Sequence, residues 1–255
     1  MVGNLLLRGL AVGIIAGLLA FAFARAFGEP QVDLAIAFEE QATQAEAQAQ
    51  GKPVEAEPEI VSRQTQAGAG LLTGLVVYGA AIGGLFALAF ACLYGRLGGL
   101  GPRETAALMA LGGFLAIVLV PFLKYPANPP AVGNSETIGS RTELFAIMLI
   151  ISLATLALAI GIARSFWDRY GGFNAVAIAG AAALVIIVVA YSALPEINEV
   201  PEQFSAMLLW RFRTASLGMH LILWTTLGLL FGILTERSLT DRSTRAFAAR
   251  ATTSN

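Results

Sequence analysis

Long apolar stretches recur along the chain, each close to the length of a bilayer crossing and each set off by a polar connection. The hydrocarbon core of a membrane is about 30 Å thick, and a helix needs roughly 20 apolar residues to cross it. The stretches that meet this length are Leu5–Phe27, Gly68–Tyr94, Thr105–Leu123, Leu144–Ala163, Ala175–Leu194 and Ala215–Leu234. They predict an all-α fold: an integral membrane bundle of about six transmembrane helices, forming one domain over residues 1–240. An external acidic loop is expected at 28–67 and a basic tail at 241–255. Inside that loop, Gln31–Gln50 is rich in Ala, Gln and Glu. That composition predicts a short external helix, although it also suits disorder, and a flexible linker is expected at Gly51–Pro58. The triplet Ala24-Arg25-Ala26 resembles a signal-cleavage site. A lone Arg8 ahead of so long an apolar run favours a retained helix instead.

Small residues spaced by four mark several of these stretches: Gly9, Gly13 and Gly17 in the first, Gly70 with Gly74 and Gly79 with Gly83 in the second, and Gly228 with Gly232 in the last. Such faces let helix backbones approach closely in lipid, so the first, second and sixth helices are expected to pack as a tight bundle.

Charge orients the helices. The first connection carries Glu29, Asp33, Glu39, Glu40, Glu46, Glu55, Glu57 and Glu59 against only Lys52 and Arg63. Arg96 with Arg103, Arg164 with Arg169, and the tail with Arg237, Arg242, Arg245 and Arg250 make the alternate connections basic. Basic connections favour the cytoplasmic side, which puts both termini in the cytoplasm and the acidic loop outside.

Composition agrees and narrows the chemistry. The chain is 56% hydrophobic and 13% charged, about half the charge of a soluble domain. Its net charge of −1 suggests no nucleic-acid partner. The single Cys92 excludes an internal disulfide and reads as a small buried hydrophobe. There is no G-x-x-x-x-G-K phosphate loop, and the only lysines are Lys52 and Lys124. No Ser-His-Asp or Cys-His arrangement is present, and one histidine cannot build a two-His metal site. No enzymatic activity and no bound cofactor are expected.

The remaining polar groups gather at the predicted outer side: Glu29, Asp33, Glu136, Arg141, Glu143, Glu196, Glu199 and Glu202. Carboxylate oxygens suit divalent cations, and an acidic mouth concentrates cations by its field. The plainer reading is a set of solvated loops with local ion pairs. His220, after Met219, offers an imidazole that suits a transition ion, or a hydrogen bond between helices. Two outer connections look ordered: Lys124–Gly133, where three prolines discourage helix, and Leu194–Pro201, followed by Phe204, Trp210, Arg211, Phe212 and Arg213.

These segments resemble the CbtA family, the larger subunit of predicted bacterial cobalt transporters. The resemblance rests on Gly28-Glu29-Pro30 with Asp33-Leu34-Ala35-Ile36-Ala37, on Val61-Ser62-Arg63, and on Val120-Pro121-Phe122-Leu123-Lys124-Tyr125-Pro126-Ala127-Asn128-Pro129-Pro130. It continues through Leu194-Pro195-Glu196-Ile197-Asn198-Glu199-Val200-Pro201 and Leu209-Trp210-Arg211-Phe212-Arg213. The proline segment and the Leu-Trp-Arg-Phe-Arg segment are its specific parts. The resemblance implies uptake of cobalt or a similar divalent ion across the cytoplasmic membrane, in a cobalamin-associated context. It also implies a small single-pass companion that carries histidines (CbtB-like). The expected metal path runs from Glu29, Asp33, Glu136, Glu196 and Glu199, past Asn128 and the prolyl carbonyls, to His220. A rival expectation is an accessory subunit that assembles a larger membrane complex and conducts nothing.

Overall fold

A computed structural model describes residues 2–51, 60–96 and 98–240, and among these the regular structure is entirely helical. Most of the expected linker and the basic tail lie outside the described residues. Five helices are long and apolar enough to cross a membrane: α1, Val2–Gln50; α2, Arg63–Leu93; α3, Pro102–Lys124; α4, Ser135–Ala193; and α5, Ala206–Thr240.

The predicted helix at 31–50 exists, but it is not separate: α1 runs through the first apolar stretch and on to Gln50, where Gly51 closes it in a left-handed cap. A proline inside a helix lacks the N–H for its turn and clashes with the preceding carbonyls, so Pro30 would ordinarily end the first stretch. A π-helical turn, Ala24–Gly28, immediately precedes Glu29-Pro30 and widens the helix there. The same device recurs in α3, where the π-helical Phe114–Leu119 precedes Val120-Pro121. In both helices the wider turn lets the backbone carry a proline without stopping.

α4 contains a reversal. Its long α-helical stretch Ile138–Ala193 is 56 residues, interrupted at Gly171 with φ 75° and ψ 159°. Straight, it would span about 84 Å. Its two ends nevertheless meet, because Glu199, just past its C-terminus, bonds Asn134, just before its N-terminus. The helix therefore folds back at Gly171 into two arms, 138–170 and 172–193, each long enough to cross a bilayer. The exposed apolar residues Leu184, Val185, Val188 and Val189 line the second arm. They suit a helix whose solvent is lipid.

The chain clusters into two compact units. In one, α1 and α2 lie antiparallel with their backbones in contact: Gly9 faces Gly83, Gly13 faces Gly79, and Gly17 faces Leu75. The C-terminal part of α5 runs parallel to α2, with Phe86 against Trp224 at 6.4 Å and Phe90 against Phe231 at 5.1 Å between ring centres. It runs antiparallel to α3, where Gly228 meets Ala110 and Gly232 meets Arg103. Arg8 donates to the buried Thr235 hydroxyl at 3.2 Å, and Arg103 pairs with Glu236. The tight bundle expected from the glycine faces is thus present, with two adjustments. Gly74 has open space beside it, and the Gly228/Gly232 face serves α3. Cys92, expected to be buried, is exposed near the C-terminal end of α2.

The other unit is built, among the described residues, from 27–51, the second half of α3, the α4 hairpin and the start of α5. Its small core joins Ala35, Val132 and Phe204, with Phe38 packed edge-on to Phe204 at 5.1 Å.

Candidate functional site

The two ordered connections of this second unit form a braced layer. Pro126, Pro129 and Pro130 bar a helix after Lys124, and the chain turns through Ala131 (φ 67°) and Gly133 (φ 123°) before α4 begins. The Tyr125 hydroxyl donates to the Pro195 carbonyl at 2.9 Å, and Lys124 Nζ donates to the Tyr191 carbonyl at 2.8 Å. The Tyr191 hydroxyl returns a bond to the Val120 carbonyl. Arg213 reaches back from α5, donating to Asn128 Oδ1 at 2.9 Å and to the Ala127 carbonyl at 3.3 Å. Glu199 is the keystone: its carboxylate accepts the Asn134 N–H at 2.8 Å and lies 3.5 Å from Arg141 Nε. Arg141 also donates to the Asn134 carbonyl at 3.0 Å. The Thr137 hydroxyl, the Asn134 N–H and the Arg141 guanidinium together hold the Glu199 carboxyl below the usual carboxylate range.

The sequence-predicted metal residues are distributed unevenly over this frame. Asn128 and Glu199 are in the braced layer, but their oxygens already face arginines. Glu196 is exposed one residue after Pro195, and Glu136 is exposed in the turn that opens α4, its N–H capped by Asn134 Oδ1 at 3.0 Å. Glu29 is buried on α1 beside Pro30, whereas Asp33, one turn on, is exposed. His220 lies in the other unit, half-buried on α5. Among the described residues, no three His, Cys, Asp or Glu come together as a group that would hold a metal ion. Residue type alone gives Tyr125, Lys124 and Gly133 no role of their own. The three prolines around them are the available signal, since a constrained loop needs fixed partners.

The sequence matches the family of probable cobalt transporter subunits, CbtA, over residues 2–236. The chain belongs to the CbtA family. No curated protein and no solved structure matches it. The match covers both units and every apolar helix, so the CbtA assignment describes the membrane-spanning chain throughout. The chain is therefore a multi-pass membrane protein and a probable cobalt transporter subunit. The braced layer falls on the proline and Leu194–Pro201 segments that carried the resemblance.

Proposed function

We propose that this chain is the subunit through which cobalt, or a closely similar divalent ion, enters across the bacterial cytoplasmic membrane. The observation that carries the reading is the family match over residues 2–236, on a chain built from apolar helices. The exposed Glu136, Glu196 and Asp33 collect hydrated ions at the rim, while Glu199 and Asn128 act by holding the two loops in place. His220, at the start of the sixth apolar stretch, supplies an imidazole donor. With one histidine in the whole sequence, a soft ligand set must come from elsewhere, which fits a small companion subunit bearing histidines.

The accompanying topology is a single domain of six crossings with both termini in the cytoplasm. Its support is directional. α5 runs antiparallel to α3 at Gly228 and Gly232, so the segment joining them leaves and returns on one side, and the α4 hairpin supplies the two crossings between. Trp167, Tyr170 and Phe173, all exposed around Gly171, suit the membrane interface at the hairpin's end. In a Cys92→Ala background, Glu46→Cys should react with an impermeant maleimide from outside, and Asp168→Cys only after permeabilisation. Labelling of both from the same side would rule out six crossings.

For transport, cells making this chain with its companion should accumulate radioactive cobalt several-fold faster than cells lacking the pair. Equal uptake despite verified membrane insertion would select the non-conducting accessory role.

A further inference from the structure

His220 and Trp224 stand four residues apart on α5, and so share one helix face. Both rings pack on α2: His220 edge-on to Tyr78 at 6.1 Å, Trp224 edge-on to Phe86 at 6.4 Å between centres. Trp224 is only 5% exposed. His220 Nδ1 and Trp224 Nε1 are buried, and neither has a hydrogen-bond partner among the described residues. In the hydrocarbon zone no bulk water satisfies such atoms, and leaving two of them dry is costly. Buried polar atoms in this position call for a bound water or ion.

We propose that the face bearing His220 and Trp224 is an intramembrane binding site for a divalent transition ion that still carries water. The two side chains have complementary roles. A neutral imidazole offers its Nδ1 lone pair to a metal, and His220 is the only histidine in the sequence. The indole N–H is a donor only, so it repels a bare cation and takes an oxygen, which a metal-bound water or hydroxide supplies. Between ions, water takes the ion's place, accepting from the indole and donating to the imidazole. A single protein donor leaves the other coordination positions to water. That is the weak hold a conducted ion requires, since it must leave as readily as it enters. The inference rests on the reading of this chain as the conducting subunit.

The test uses the full-length chain carrying Trp167→Phe and Trp210→Phe, which leaves Trp224 as its one indole. Cobalt, whose open d shell quenches indole emission at short range, should quench Trp224 saturably. Zinc should relieve the quenching by competition, and magnesium, which avoids nitrogen ligands, should not. His220→Gln should move the midpoint to at least about tenfold higher cobalt. Trp224→Phe, in the otherwise native chain, should lower uptake at limiting cobalt by about tenfold, the effect of losing an outer-shell partner, at unchanged abundance. Absent quenching, indifference to zinc, or an unchanged midpoint in His220→Gln would overturn the site. Cobalt uptake without quenching would sink the site and leave the transport reading standing. Quenching without uptake would do the reverse.

Discussion

Gly79→Leu should eliminate the folded protein from the membrane, and Gly13→Ala should lower its thermal stability severely. A Cβ on Gly13 would overlap the Gly79 carbonyl oxygen and stand 2.8 Å from the Gly79 carbonyl carbon and 3.1 Å from Ala80 Cα. A Cβ on Gly79 would overlap the Gly13 carbonyl oxygen and lie 3.0 Å from Gly17 Cα. Overpacking a core costs about 1–3 kcal/mol when neighbouring side chains can move aside. Here the obstacles are main-chain atoms of two helices, so relief requires α1 and α2 to separate along Gly9, Gly13 and Gly17. The loss for Gly13→Ala should therefore reach the upper end of that range or exceed it. Gly74→Ala is the matched control on α2. It has nothing within 4 Å and should gain up to roughly 1 kcal/mol from helix propensity. Size-exclusion profiles and melting curves in detergent compare the three. A Gly13→Ala protein that melts with wild type would refute backbone contact between these helices.

Much of this architecture is legible in the sequence, for identifiable reasons. An apolar run of bilayer length suits little besides a membrane crossing, and four-residue spacing locates Gly9, Gly13, Gly17, Gly79 and Gly83. Spacing alone does not say which face meets a partner, so Gly70 and Gly74 look equivalent to them although they touch no neighbouring helix. The passage of α1 through Pro30 is not legible, because a proline in sequence reads as a stop and the π-helical turn that absorbs it has no signature of its own. The partner of Glu199 is likewise hidden. Arg211 and Arg213 are the near candidates, yet the guanidinium that approaches is that of Arg141, brought close only because α4 doubles back. Asn128 reads as a free oxygen until Arg213, 85 residues on, is found against it. Chemistry chosen by residue type alone thus overstates how many oxygens are available to a cation.

The loop brace gives the second large effect, with a pH signature. Gly133→Ala should release the layer formed by Lys124–Gly133 and Leu194–Pro201. At φ 123° a side chain is strained, at a cost of about 1–3 kcal/mol. The new Cβ would also overlap the Arg141 guanidinium, 2.9 Å from its central carbon, and push it off Glu199 and Asn134. Glu199→Gln should give a milder version, since the amide oxygen still accepts the Asn134 N–H while the charge is gone. Because the Glu199 carboxyl sits below its ordinary value of 4.5 in the folded chain, the brace is fully present above that pH. It is lost as pH falls through the lower folded value. Hydrogen exchange should accordingly rise in both loops of Gly133→Ala at neutral pH. In wild type it should rise only on acidification below about pH 4.5, and Glu199→Gln should lose that acid step. Glu196→Gln, which removes an exposed charge from the same loop, should leave loop exchange unchanged and reduce only cobalt uptake at low concentration. An acid step that persists in Glu199→Gln would assign the brace to another carboxylate, and loops in Gly133→Ala that exchange like wild type would mean that Arg141 does not hold them.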